Sequence, residues 1–125
     1  MKHEEQLYFI HMLECIYKIE SFTTGGLEAF LGSVLIRDAV YRNLEVLGEA
    51  ATHVSADTRK NLPSIPWRKI VGMRNVLIHQ YEGVEPEVTW VAVERELPKL
   101  KAVLEQLVPG TEKMKLLEIM IKEKT

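Results

Sequence analysis

Four polar side chains lie close together in one short segment and could act on a phosphodiester: Arg74, Asn75, His79 and Tyr81. An imidazole titrates near neutral pH, so His79 can take a proton from a ribose 2′-hydroxyl or give one to a leaving 5′-oxygen. The guanidinium of Arg74 is planar and permanently charged, which suits a phosphate and its charge-rich transition state. The chemistry available to these residues is therefore cleavage of an RNA phosphodiester without a metal ion.

The other two side chains support this chemistry less directly. Asn75 could orient the phosphate or the imidazole, and Tyr81 offers a hydroxyl donor and a ring on which a base can stack. Each of the four also has a structural alternative. Arg74 could form an ion pair with Glu45 or Glu49, and Asn75 could be a solvated helix residue. His79 could cap the end of a helix, and Tyr81 could be a half-buried aromatic side chain.

Helical geometry restricts how this segment can work. On a regular helix Arg74 and His79 are about 140° apart, with Asn75 between them. Either Arg74 reaches across, or a second subunit related by a two-fold axis brings its own copy of the segment into a shared cleft. The other side of the helix is apolar and should hold it to the core; its residues are Ile70, Met73, Val76 and Leu77.

The charge is distributed unevenly along a chain whose net charge is −2. Residues 58–81 contain five basic side chains (Arg59, Lys60, Arg68, Lys69 and Arg74) and no acid, so this segment carries +5 and the remainder −7. A local positive field suits an anionic ligand, and we expect Arg68 and Lys69, together with Arg42 on the preceding helix, to contact RNA phosphates. The alternative is a chance cluster on a solvated face.

Apolar residues recur at spacings of three and four along most of the chain, which predicts helices. In the first helix this apolar stripe, which should face the core, consists of Phe9, Met12, Leu13, Ile16 and Ile19. The predicted spans are 7–22, 27–31, 34–54 and 66–80, then one from Pro86 that is kinked or restarted at Pro98 and ends near Pro109. We therefore expect an all-α antiparallel bundle of about five to six helices, forming a single domain over 1–125 in which 111–125 is a C-terminal helical extension.

Two helices have informative faces. In the helix at 34–54, Asp38, Arg42, Glu45 and Glu49 recur at helical spacing opposite an apolar stripe. Such a face is either a solvated surface with pairs such as Asp38 to Arg42, or the wall of a polar groove. In the helix from Pro86, the expected core contacts are Val88, Val91 and Leu97.

Composition narrows the functional classes further. The single cysteine, Cys15, cannot form an internal disulfide and is expected to pack in the core. The four histidines (His3, His11, His53 and His79) show no metal-ligand spacing, so no metal or other cofactor is expected. No signal-peptide core and no apolar run of about 20 residues is present, which predicts a cytoplasmic protein with no membrane contact.

The motif segment resembles the HEPN ribonuclease toxins, specifically the HepT-like family. Arginine, four residues, histidine, one residue and tyrosine, with Asn75 directly after the arginine, match that family's motif. The resemblance extends in order over roughly residues 5 to 108. It includes Arg42 to Ala50, Ile65 to Met73, Val88-Thr89-Trp90 and Leu97-Pro98.

The resemblance implies a HEPN-like helical homodimer in which two motifs meet in a cleft and cleave RNA through Arg74 and His79 without a metal. It further implies the toxin of a type VII-like toxin–antitoxin system, neutralised by a nucleotidyltransferase antitoxin of the MntA type that AMPylates Tyr81. Two alternatives stay open: a non-catalytic substrate-binding or regulatory partner of a nucleotidyltransferase, and a structural helical adaptor.

Overall fold

The computed structural model describes residues 3–110 together with 118 and 122, with side chains from residue 5 onwards, and this part of the chain contains helices and no strand. The helices are α1 (His3–Phe22), α2 (Gly26–Gly32), α3 (Val34–Thr52), α4 (Ala56–Asn61), α5 (Trp67–His79), α6 (Pro86–Val91) and α7 (Leu97–Leu107). A π-helical turn, Ala92–Glu96, joins α6 directly to α7, so the described residues form six separate helices. The predicted all-α bundle is confirmed, whereas the extension at 111–125 lies outside the described residues except for 118 and 122.

Helix α1 supplies a large part of the core. The five apolar residues predicted to face inwards are all fully buried: Phe9, Met12, Leu13, Ile16 and Ile19. The helix begins at His3 rather than at Leu7, because polar residues extend it before the apolar stripe starts. Cys15 is buried, and burial raises the pKa of its thiol to about 12, so the sulfur packs as an apolar group.

Helix α3 is the central element, because it packs against α1 on one side and α5 on the other. The hydroxyl of Ser33 accepts a hydrogen bond from the backbone N–H of Ile36 and caps its N-terminus. Its predicted apolar stripe is buried from Val40 to Ala51. Contacts of Asp38 with Tyr81 and of Glu49 with Arg74 show that α3 and α5 run antiparallel.

Helix α5 begins one residue later than expected, since Pro66 is its N-cap rather than part of its first turn. The indole N–H of Trp67 donates to the carbonyl of Leu62, which secures the preceding loop. The prediction that Val76 packs in the core is wrong, because this side chain is 43% exposed. It borders an apolar groove of about 420 Å³ that is lined by residues of α5 and α6.

The inward face of α6 also differs from the prediction. Val88 and Val91 are 64% and 46% exposed, and the buried residues are Thr89 and Val93. The hydroxyl of Thr89 donates to the backbone carbonyl of Glu85, which allows a polar side chain to be buried. Counting back from Leu97 in steps of four gives Val93 and Thr89, so the buried face continues from α7 into α6, and the prediction missed it because Thr89 is polar. Pro98 restarts the helix in its first turn, as predicted.

None of the helices in the described part of the chain is long and apolar enough to cross a lipid bilayer.

Candidate functional site

The polar residues of the motif lie on the outer face of α5. Ile70 and Leu77 are buried and hold the helix to the core. Arg68, Asn75 and His79 recur at helical spacing on the opposite face, and all three are exposed. Arg68, expected from the charge pattern to contact RNA, therefore shares a solvent-facing surface with His79.

Arg74 lies at the edge of this face, where α5 approaches α3 most closely. A Cβ atom placed on Gly48 would lie 2.3 Å from the Cβ of Arg74 and 3.2 Å from the backbone carbonyl of Ile70. The base of the arginine therefore occupies space that only a glycine leaves open. Sequence reasoning assigned Gly48 no role, although a glycine inside a long helix costs about 1 kcal/mol relative to alanine and usually has a packing reason.

The guanidinium of Arg74 is held by two neighbours. Its Nε and Nη2 donate to Oε2 of Glu49 over 3.0 and 2.6 Å, and its Nη1 donates to Oδ1 of Asn75 over 2.8 Å. The side chains of Arg74 and Glu49 are 26% and 50% exposed. An ion pair this exposed contributes at most about 1 kcal/mol to stability. Its main effect is therefore on the orientation of the arginine, and the ion-pair alternative with Glu49 is confirmed as a contact.

Asn75 and His79 differ in the hydrogen bonds that their side chains form. The amide oxygen of Asn75 accepts a hydrogen bond from Arg74. Asn75 was expected to orient the phosphate or the imidazole, and this contact shows that it also orients the arginine. The imidazole of His79 forms no hydrogen bond or ion pair with any residue of the described chain and is exposed. The backbone C-cap of α5 is Gln80, whose N–H donates to the carbonyl of Val76. The imidazole is thus free to exchange protons with a bound molecule.

Tyr81 lies in a short 3₁₀ turn, Tyr81–Gly83, that follows α5. Its side chain is 45% exposed, its ring meets Tyr41 edge-on at 5.7 Å, and its hydroxyl donates a hydrogen bond to Asp38. This hydrogen bond, together with partial desolvation, raises the pKa of Tyr81 to about 12, because the carboxylate favours the protonated phenol. Asp38 thus bonds to the tyrosine, and no contact of Asp38 with Arg42 is found among the described residues.

Arg42 on α3 and Lys69 on α5 are the other two basic residues expected to bind RNA, and they lie on different sides of the motif. Arg42 is largely exposed, pairs with Glu45 at 3.3 Å and lines a groove of about 330 Å³ together with Glu49. It therefore lies on the Arg74 side of the site. Lys69 is exposed and borders another groove, of about 130 Å³, with Glu96 on the side of α7. The structure brings Arg42 towards the motif and leaves Lys69 apart from it.

The positive segment also includes an arginine that stabilises the fold. Arg59 donates to the backbone carbonyls of Ala51 and Val54, and its guanidinium lies 5.5 Å from the centroid of the Trp67 ring. These contacts satisfy carbonyls at the end of α3, where cations are favoured. The five basic residues therefore do not act as one patch.

Side chains that could bind a metal are scattered over the part of the chain that the structure describes. No three His, Cys, Asp or Glu side chains are grouped there around a common point. His53, for example, lies 3.5 Å from Glu49 and stacks on Tyr8 at 5.1 Å.

Comparison with known proteins adds a family match. A family model described as "Ribonuclease HepT-like" matches residues 12–107, which include α3, α5 and the motif. The match therefore covers both helices that build the site.

Individual relatives agree with this match. The chain is 34% identical over 105 residues to a protein of Methanocaldococcus jannaschii named "Putative RNase", covering 83% of this chain and 96% of that protein. It is 39% identical over 108 residues to a "Probable ribonuclease HepT" of Thermococcus cleftensis, covering 86% and 98%. A "Putative RNase" of Caldanaerobacter subterraneus subsp. tengcongensis is 33% identical over 101 residues, covering 80% and 90%. No solved structure matches the chain significantly.

Proposed function

The chain belongs to the HepT-like ribonuclease family, and on this basis we propose that it is a metal-independent endoribonuclease that acts as the toxin of a toxin–antitoxin pair. The observation that carries the proposal is the arrangement of Arg74 and His79 on α5. One is a guanidinium held in place by Glu49 and Asn75, and the other is an exposed imidazole that forms no hydrogen bond or ion pair with the described residues. These two groups supply the charge and the proton transfer that phosphodiester cleavage needs.

The reaction uses groups that the chain itself provides. His79 accepts the proton of a ribose 2′-hydroxyl, and the 2′-oxygen attacks the adjacent phosphorus. The bond from phosphorus to the 5′-oxygen breaks, and the leaving oxygen takes a proton from the imidazolium. The products are a 2′,3′-cyclic phosphate and a 5′-hydroxyl. Arg74 stabilises the charge that develops on the phosphoryl oxygens in the transition state.

Two chains build each site in this proposal. Arg74 is anchored towards α3, whereas His79 lies on the outer face of α5, about 140° away on a regular helix. A two-fold axis would place the His79 of one chain beside the Arg74 of the other. The exposure of the face that carries His79 and Gly72 supports this arrangement, because a second α5 can approach it closely.

A mixed dimer tests both the activity and the shared site. Wild-type protein is expected to cleave RNA in the presence of EDTA, whereas Arg74→Ala and His79→Ala homodimers should cleave it about 10²- to 10⁴-fold more slowly. A purified heterodimer of the two variants retains one intact Arg74–His79 pair across the interface, so it should regain roughly half of the wild-type activity. The measurement is the initial rate of cleavage of a labelled RNA at equal concentrations of dimer.

The result can contradict the two parts of the proposal separately. A heterodimer as inactive as its parents, alongside an active wild type, would place the pair within one chain. A pure wild-type protein that cleaves no RNA under these conditions would contradict the ribonuclease proposal itself.

We further propose that a nucleotidyltransferase antitoxin controls the enzyme by attaching AMP to Tyr81. This side chain is close to half exposed and lies two residues beyond His79. The adenylyl group would add bulk and a phosphate charge where the phosphodiester of RNA must bind. Its attachment requires the hydroxyl to leave Asp38 and lose its proton, which the raised pKa of Tyr81 makes unfavourable without an enzyme.

Intact-mass measurement tests this control. After incubation with ATP and the cognate nucleotidyltransferase, the wild type should gain the mass of adenylyl groups and lose RNA cleavage in proportion to the modified fraction. Tyr81→Phe should gain no mass and keep its activity, whereas the control Tyr8→Phe should behave like the wild type. An unchanged adduct on Tyr81→Phe would show that another residue is modified.

A further inference from the structure

We propose that Glu49 is a positioning residue for RNA cleavage, which sets the guanidinium of Arg74 so that its free N–H groups face the scissile phosphate. The inference rests on the proposed ribonuclease activity and extends it to a residue of α3 outside the motif. Glu49 itself touches the arginine and not the substrate.

The hydrogen bonds of Arg74 show which donors are left for a phosphate. An arginine has five N–H donors in a planar fork. Glu49 accepts one hydrogen bond from Nε and one from Nη2, and Asn75 accepts one from Nη1. One N–H on each terminal nitrogen remains, and both can donate to oxygens of a phosphate. Glu49 and Asn75 together therefore select the face of the guanidinium that is presented.

The carboxylate of Glu49 also has a neighbour on its other side. Its Oε1 lies 3.5 Å from Nε2 of His53, the C-cap of α3, and the imidazole of His53 stacks on the ring of Tyr8. Glu49 thus lies between two nitrogen-bearing side chains, and the rotation of the arginine is limited on the side of α3. Limiting this rotation reduces the entropy lost when the phosphate binds.

The negative charge of Glu49 has an opposite effect on binding. A carboxylate beside a bound phosphodiester repels it, so removal of the charge should strengthen the binding of RNA. If Glu49 positions Arg74, its removal should slow the chemical step without weakening the binding of RNA. The expected result is a lower kcat with an unchanged or lower KM. If Glu49 merely masked the charge of Arg74, its removal would raise the rate.

Steady-state cleavage by Glu49→Ala and Glu49→Gln tests the proposal, with Glu20→Gln as the matched control. Glu20 is exposed to a similar extent, 46%, and pairs with Lys101 at 3.0 Å on the other side of the bundle. We expect Glu49→Ala to lower kcat roughly 10- to 100-fold without raising KM. Glu49→Gln, whose amide oxygen still accepts from Arg74, should retain an intermediate rate, and Glu20→Gln should match the wild type.

A double variant connects the effect to the arginine. In an Arg74→Ala background, Glu49→Ala should cause no further loss, because the group it positions is absent. The proposal is overturned if Glu49→Ala keeps the wild-type kcat or exceeds it while Arg74→Ala is inactive, and the ribonuclease assignment survives that outcome. A wild type without activity contradicts the ribonuclease assignment instead.

Discussion

Arg74→Ala and His79→Ala are each expected to lower the rate of RNA cleavage by about 10²- to 10⁴-fold, the range that removal of a general acid–base group or a transition-state charge typically produces. The loss should appear in kcat and in kcat/KM, since both groups act most strongly on the transition state. The measurement is the initial rate on a labelled RNA, with and without EDTA. Matched controls are His11→Ala and Arg95→Ala, which remove exposed side chains of the same types from α1 and from the π turn.

The structure predicts that these losses occur without unfolding. The pair between Arg74 and Glu49 is too exposed to contribute more than about 1 kcal/mol, and the side chain of His79 has no partner within the described residues. Circular dichroism and thermal unfolding should therefore show both variants close to the wild type. If both variants stay folded and cleave RNA at the wild-type rate, the mechanism is wrong. A wild type that cleaves no RNA would instead favour the alternative of a non-catalytic partner of a nucleotidyltransferase.

Gly48→Ala is expected to destabilise the protein, although alanine is the better helix former. Overpacking at a close contact typically costs about 1–3 kcal/mol, while the exchange of glycine for alanine in a helix gains only about 1 kcal/mol. The new methyl group would meet the Cβ of Arg74 at 2.3 Å. Because that atom is fixed to the backbone, α3 and α5 must move apart. Cleavage should fall as well, since the shift displaces the guanidinium from Glu49.

Gly72→Ala is the matched control for this substitution. Gly72 lies inside α5, and a Cβ atom there would have nothing within 4 Å in the chain. It should therefore raise the free energy of unfolding by roughly 0.5–1 kcal/mol through helix propensity alone. Urea denaturation of both variants shows whether each substitution raises or lowers the free energy of unfolding, at a protein concentration low enough that the proposed contact between two α5 helices at Gly72 does not contribute. Equal stabilisation by both substitutions would show that α3 and α5 do not approach each other at Gly48 as closely as the structure has them.

Much of the fold could be predicted because apolar periodicity is a local property. The inward residues of α1, from Phe9 to Ile19, follow a helical period without interruption and were all identified correctly. The same reasoning failed for Val88 and Val91, because it selected apolar residues, whereas the line of buried residues that runs back from Leu97 through Val93 ends on the polar Thr89. A pattern of apolar residues cannot identify a buried threonine, whose burial depends on the hydrogen bond from its hydroxyl to the carbonyl of Glu85.

The sequence by itself determined the chemical groups of the candidate site and their order along one helix. The spacing from Arg74 to His79 sets their angular separation on α5 whatever the rest of the chain does. Only the tertiary structure decided what surrounds them. The contact of Arg74 with Glu49 spans 25 residues, and that of Tyr81 with Asp38 spans 43. Contacts over such separations depend on how α3 packs against α5, and Gly48 permits that close packing because it has no side chain.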